Sequence, residues 1–538
     1  MEKTKRFLAD TLIMTAVSLI MRTVAVSFNS YVTARIGAAG MGLYTLITSV
    51  YAFSVTLATS GINLGVTRTV AEALAKNRSA KKEMARALAY AAFFGSLAFF
   101  VLFLGAETIG RDLLADTRTI KSIRIFAVSL PFIALSSCFN GYFCAVRRTW
   151  KNAAAMLFEQ AIKIFLSAAL LTVLLPSGIE YACIALVLGG ALAESASVLF
   201  AWLFYLFDKS RKTSAKTDGG SIRALASVAL PVALSAYVRS ALVTVEHMLI
   251  PRGLKKYGLG HESALAAYGV LQGMALPVVL YPAAFSTAFA GLLVPEMTEC
   301  AASNDKPRLA RLTERAIYSI LVFAVCVSGI MVAEAYSISA LLYPDTEAGG
   351  YVRCLALLIP VMYCDTICDG ILKGIGKQVY SMAVNIFDAS LSVILVALFI
   401  PKYGITAYLY IIIGCEVINT ALSLIKVLEA TNARISPLRA VGVPFFAIYI
   451  SARTVRAISL RLTPLPEGAE LFCRIALCVF IYCGVLYALS ALKKALPKLC
   501  RCGKINKIST QRRSAYDPDN RGKTQPCAQY CGRYRQSE

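Results

Sequence analysis

An ordered series of short motifs occurs twice in this chain, about 220 residues apart, and each copy sets an arginine in the middle of an apolar run. Ser18 to Arg22 (SLIMR) returns as Ser235 to Arg239 (SAYVR). Val70-Ala71-Glu72 returns as Val294-Pro295-Glu296. Leu130-Pro131 with Asn140-Gly141 returns as Ile359-Pro360 with Asp369-Gly370, and Leu157-Phe158-Glu159 as Ile386-Phe387-Asp388. The order is kept, and the offsets differ only as loop lengths would make them. Many of the apolar runs reach the ~20 residues that cross hydrocarbon. In lipid, a segment of that kind satisfies its own backbone only as a helix or in a closed barrel. A duplicated membrane protein places its binding site between the halves, as transporters do. An arginine at mid-bilayer depth is costly and marks a functional position by default. Together these features point to an anionic substrate.

Composition agrees with a membrane class. The chain is 57% hydrophobic and 16% charged, whereas soluble domains carry about 25% charged residues. A net charge of +24 invites a nucleic-acid partner. That reading fails, because Lys and Arg sit in short clusters between spans and in the C-terminal tail, the pattern of the positive-inside rule. The start of the chain, with Lys3, Lys5 and Arg6 before an apolar run, imitates a signal peptide. The run is long, holds Arg22 and lacks a small-residue cleavage site, so it is expected to be a retained span. Sixteen cysteines are scattered, many within spans, and are expected to act as small apolar residues rather than a disulfide framework. Cys500, Cys502, Cys527 and Cys531 fit zinc spacing poorly and have no histidine nearby, so no metal is expected.

The expected fold is an all-α integral membrane protein of about fourteen helices, two parallel six-helix repeats plus two C-terminal helices. The spans are expected near 11–33, 41–60, 87–105, 125–146, 153–175 and 179–207, then 225–250, 266–293, 316–342, 352–372, 379–400 and 405–428, with two more at 441–460 and 471–492. This gives an N-lobe (1–207), a linker (208–224), a C-lobe (225–428), two added helices (429–492) and a basic, disordered tail (493–538). Pro131, Pro231, Pro277, Pro282 and Pro360 fall inside spans and predict bends. Six spans per repeat start both copies on one side of the membrane. Lys81, Lys82, Arg147, Arg148, Lys151, the linker lysines, Lys306, Arg308 and Arg311 then share one face with both termini, which is expected to be cytoplasmic in the cell membrane. Arg111, Arg118 and Lys121 run against that bias.

Arg22 and Arg239 are the first candidate substrate ligands, since guanidinium grips phosphate oxygens in pairs. The bland reading is that each holds helices together by pairing with a buried carboxylate. Lys163, one turn after Glu159, either neutralises that residue on its own helix or is a third cavity cation. Glu159, Glu194, Glu246, Asp365, Asp369, Asp388 and Glu416 are intramembrane carboxylates, expected in ion coupling through H+ or Na+ or in salt bridges. Glu246, Asn385 and Asp388 together could coordinate a small hard cation. His247 is expected to be an interfacial polar residue rather than a pH switch. No P-loop, HExxH helix or nucleophile triad is present, so no enzyme and no cofactor is expected.

The motifs Ile36 to Tyr44 (IGAAGMGLY), Arg68 to Glu72 (RTVAE), Phe158-Glu159-Gln160, Ile250-Pro251-Arg252, Tyr268 to Met274 (YGVLQGM) and Leu293 to Glu296 (LVPE) resemble the polysaccharide-flippase branch of the multidrug/oligosaccharidyl-lipid/polysaccharide exporter superfamily. Within it they resemble the group of the stage V sporulation protein B, with lipid II flippases as more distant kin. The resemblance covers residues 6–492. It implies a V-shaped transporter that alternates between inward-open and outward-open states. Its implied cargo is an undecaprenyl-diphosphate-linked saccharide, and Arg22 matches an essential cavity arginine of the lipid II type. Sodium binding between spans seven, eleven and twelve in some relatives would fall on Glu246, Asn385 and Asp388. The implied partners are membrane lipids, with cell-wall synthesis proteins as further candidates. Two other readings compete: a cation-coupled multidrug exporter of the same fold, and a scaffold recruiting cell-wall enzymes through the tail.

Overall fold

The computed structural model describes residues 2–59, 61–75, 80–208, 222–343, 347–459 and 466–514, and among them every regular element is helical. The first half holds α1 (Glu2–Thr59), α2 (Ile62–Ala75), α3 (Ala80–Thr108), α4 (Thr119–Ala145), α5 (Thr149–Leu174) and α6 (Ile179–Leu206). The second holds α7 (Ile222–Tyr257), α8 (His261–Tyr268), α9 (Leu276–Leu280), α10 (Ala283–Ala302), α11 (Lys306–Leu342), α12 (Ala348–Ala356), α13 (Ile359–Gly374), α14 (Gln378–Tyr403) and α15 (Ile405–Thr431). α16 (Val443–Ser459) and α17 (Glu467–Ser514) follow. By contacts the chain forms two compact units, Met1–Cys478 and Val479–Glu538. α17 continues to Ser514, into the stretch expected as tail. Most linker cations, Cys527 and Cys531 lie outside the described residues.

Among the described residues, 11 helices are long and apolar enough to cross a membrane, or 12 if the bent pair α12–α13 is one span. The first two expected spans are merged in that number, because they form a single helical run. Gly37, at φ 69° and ψ 179°, breaks the run into two arms. A side chain there would pay the left-handed penalty that glycine escapes.

The expected eighth span is the most interrupted. α8 passes into a π-helical stretch, Gly269–Ala275, then α9, then the turn at Tyr281 and Pro282, then α10. π turns and proline free backbone carbonyls that lipid cannot satisfy, so the partners of those carbonyls become informative. Pro360 opens α13 after the 53° bend from α12. Pro131 and Pro231 instead lie within the continuous helices α4 and α7.

Small residues let the first-half helices close on one another. α3 buries Ala87, Ala91, Gly95, Ala98 and Ala106 along one stripe, while Phe93 (64%) and Leu104 (73%) point outward, as a lipid-facing side would. Thiols behave as expected from apolar residues: Cys138, Cys183, Cys300, Cys364 and Cys368 are buried and free. The cations that ran against the positive-face bias are matched locally by acids. Arg111 pairs with Glu107 at 3.2 Å, Arg118 with Asp116 at 2.7 Å and Lys121 with Glu180 at 3.0 Å. That face therefore gains little net charge from them.

On the basic-loop face, Asp208 is fully buried and accepts from Arg148 at 2.8 Å and Lys151 at 2.7 Å. Lys151 also donates to the Phe204 carbonyl at 3.2 Å, so the carboxylate closes the end of α6 onto α5. Breaking a buried pair from one side leaves charge uncompensated and costs about 3 kcal/mol. Asp208→Asn should therefore lower the melting temperature of the purified protein clearly, as read by scanning fluorimetry; an unchanged value would mean the cluster is idle.

Candidate substrate-binding site

Arg22 and Arg239 sit on the first helix of each half, and neither forms an ion pair among the described residues. Arg22 is half-buried and donates from Nη1 to the Leu280 carbonyl at 2.6 Å. That carbonyl ends α9, where the break before α10 frees it. One donor of the guanidinium is thus held by the opposite half, and it remains within electrostatic range of Tyr363 on α13. Arg239 is exposed and lies within electrostatic range of Asp365, Asp388 and Glu416. Both arginines thus address the second half near α13, and both keep guanidinium donors uncommitted to a carboxylate.

The first-half carboxylates are organised by hydroxyls. Tyr51 donates to Glu194 Oε2 at 2.6 Å and lies 2.5 Å from Ser129 Oγ. Glu159 accepts from Ser197. Of the two readings for Lys163, a direct bridge to Glu159 is not formed among the described residues; Lys163 is coupled electrostatically to Tyr44, Glu194 and Glu159.

In the second half, Glu246 accepts from Tyr408 at 3.2 Å and from Ser392, and Gln272 donates to the same tyrosine at 2.5 Å. Asp365 accepts from Ser423. Asp369 accepts from Ser381 and lies 3.8 Å from Lys373. Asp388 Oδ1 and Asp365 Oδ1 are buried without a hydrogen-bond partner among the described residues. Of the suggested cation ligands, Glu246 and Asp388 are brought into electrostatic range of each other. Asn385 spends its amide on the Ser381 carbonyl of its own helix at 2.9 Å. Among the described residues no group of three or more His, Cys, Asp or Glu is placed to hold a metal ion. His247 joins this network: its Nδ1 is 2.8 Å from Tyr268 OH. It lies about three turns before the end of α7, against Tyr268 of α8. The hydroxyls of Tyr51, Ser129, Ser197, Ser392, Tyr408 and Ser423 escaped sequence reading. Polar groups within apolar runs were the only signal.

The two halves meet through two of the quoted motifs. A Cβ on Gly42 would stand 2.0 Å from the Leu265 carbonyl oxygen, and one on Gly269 would stand 2.3 Å from that of Ala38. Asn29 donates to the Gly273 carbonyl, within the π stretch, at 2.5 Å. On the face opposite the basic loops, Asp116 Oδ2 accepts from Arg118 at 2.7 Å and from His261 at 2.8 Å, and Arg118 reaches Glu262 at 2.8 Å. This cluster ties the α3–α4 connection to the start of α8. Burial alone would raise the Asp116 carboxyl, but hydrogen bonds from Arg118 and His261 outweigh it and hold the group below its usual range. A depressed carboxylate contributes fully above its ordinary pKa of about 3.9 and loses that contribution as pH falls through the lowered value. Strong acid should therefore loosen this tie, and Asp116→Asn should loosen it at neutral pH and remove the acid dependence. Distance measurements between spin labels on the two halves check both.

The sequence model of the polysaccharide biosynthesis protein family matches residues 7–301, and the MatE model matches residues 236–398. The chain is 26% identical to stage V sporulation protein B of Bacillus subtilis (strain 168) over 393 residues, covering 71% of this chain and 76% of that protein. Its fold is similar to that of the lipid II flippase MurJ in an inward closed conformation, with a TM-score of 0.65, 13% identity, and coverage of 89% of this chain and 98% of that one. It is likewise similar to an inward-facing multidrug resistance MATE family transporter of the MOP superfamily, with a TM-score of 0.63, 14% identity, and coverage of 76% and 94%. With the repeat and the helical membrane fold already in place, the match over residues 7–301 shows that this multi-pass membrane protein belongs to the polysaccharide biosynthesis protein family, with the fold that the lipid II flippase and the MATE transporter share.

Proposed function

We propose that this protein flips a lipid-diphosphate-linked saccharide, of the undecaprenyl type, from the cytoplasmic to the outer leaflet of the cell membrane by alternating access. Both termini would be cytoplasmic. The observation that carries the reading is that Arg22 and Arg239, one per half and both within apolar runs, are paired with no carboxylate among the described residues. Guanidinium donors left open in a low-dielectric setting favour a phosphate partner. The relatives named for a sporulation protein and a lipid II flippase support a cell-wall or polysaccharide precursor as cargo. Lys163 adds a first-half cation, coupled to Glu159 and Glu194.

Asp365, Asp388 and Glu416 lie within electrostatic range of the second-half arginine, and Glu246 lies within range of Asp388, so negative charge exceeds positive there. Excess charge in apolar surroundings is relieved by a proton or a small cation, so H+ or Na+ coupling would reside here. The same carboxylates favour a second reading, a cation-coupled exporter of cationic drugs, which the MatE match over residues 236–398 also supports. Mass spectrometry of lipids copurified with the protein separates the two. A retained diphosphate lipid supports the first reading. Its absence, together with cation-dependent drug efflux from proteoliposomes, supports the second.

A further inference from the structure

Arg308, Arg311 and Arg315 stand in the first turns of α11, and with Glu296 of α10 and Leu312 they line a cavity of about 200 Å³. Their spacing puts all three on one helix face. α11 has 37 residues, about 55 Å of helix at 1.5 Å per residue, well beyond the ~30 Å of hydrocarbon. Its apolar part follows Arg315, so the excess length is the arginine end. The three guanidiniums therefore stand at headgroup height on the basic-loop face.

Their local commitments are light. Arg308 is 3.4 Å from Glu299, and Arg311 Nε donates to the Pro307 carbonyl of its own helix at 3.1 Å. Arg311 and Arg315 form no ion pair among the described residues, and all three arginines are exposed.

We propose that this pocket binds the phosphate of an anionic phospholipid headgroup, fixing the second half to the basic-face leaflet. Basic pockets between membrane helices take such headgroups, and each cation near the surface strengthens the attraction. Guanidinium forks supply paired donors to phosphate oxygens, and Leu312 faces the glycerol side of the lipid. The proposal does not depend on the cargo.

The test uses the full chain reconstituted with phosphatidylglycerol or phosphatidylcholine, with bound lipid counted by native mass spectrometry. Arg311→Gln with Arg315→Gln should lower phosphatidylglycerol retention about thirtyfold and leave phosphatidylcholine retention unchanged. Lys81→Gln with Lys82→Gln, which removes two charges elsewhere on the same face, should keep it. Unchanged retention in the arginine variant would overturn the pocket, as would equal loss in the lysine control. Displacement of the lipid from the wild-type protein by inorganic phosphate alone would assign the arginines to a free phosphate compound and overturn the lipid assignment.

Discussion

Alanine at Arg22 or at Arg239 is expected to stop flipping of a diphosphate lipid while the protein stays folded in the membrane. Truncating one side of a desolvated charge pair costs 2–5 kcal/mol, about thirtyfold to several thousandfold. The two variants should differ in their side effects. Arg22→Ala also strands the Leu280 carbonyl at the end of α9, so it should loosen contact between the halves. Arg239→Ala removes the cation facing Asp365, Asp388 and Glu416, so it should change the dependence on the coupling ion as well. Lysine at either position keeps charge but loses the planar fork, and should recover only part of the rate. The measurement is the initial rate of a fluorescent lipid diphosphate crossing a proteoliposome bilayer, with a monodisperse elution profile as the folding control. Wild-type rates from both alanine variants would remove the physical basis of the diphosphate reading.

Leucine at Gly269 is expected to hold the two halves apart on the face opposite the basic loops. A Cβ there meets the Ala38 oxygen at 2.3 Å and the Gly42 nitrogen at 2.6 Å. These are backbone atoms, which cannot swing aside as a flexible side chain can. Overpacking costs of 1–3 kcal/mol are typical, and 1–3 kcal/mol moves a two-state ratio about 5–150-fold. Spin labels replacing the exposed Arg111 and Lys256 should report a longer and broader distance in the variant, with transport falling in proportion. The Asp116–Arg118–His261 cluster acts on the same face, so Arg118→Gln added to Gly269→Leu should widen the opening little further. A distance distribution identical to wild type would show that this close approach does not gate the halves.

Much of the fold was legible because the bilayer leaves few choices. Apolar runs of spanning length must be helices, and the twofold motif order divides the chain into halves. Even the glycine-bearing motifs stood out before their purpose did: IGAAGMGLY and YGVLQGM proved to be the two surfaces that touch at Gly42 and Gly269. The count of spans was less legible, because Gly37 bends a helix that continues on both sides and composition does not register a bend.

The sequence alone determined which residues carry charge inside the membrane, since an arginine or glutamate in an apolar run is visible without coordinates. Only the tertiary structure decided their partners. Arg22 bonds a carbonyl 258 positions away, Glu159 meets Ser197 of a neighbouring helix as well as Lys163 of its own, and His247 finds Tyr268. The reason is rotational. A helix in lipid is apolar on every side, so no amphipathic stripe records which face turns inward. That choice is made by small residues and hydroxyls on other helices, through packing between segments far apart in the chain.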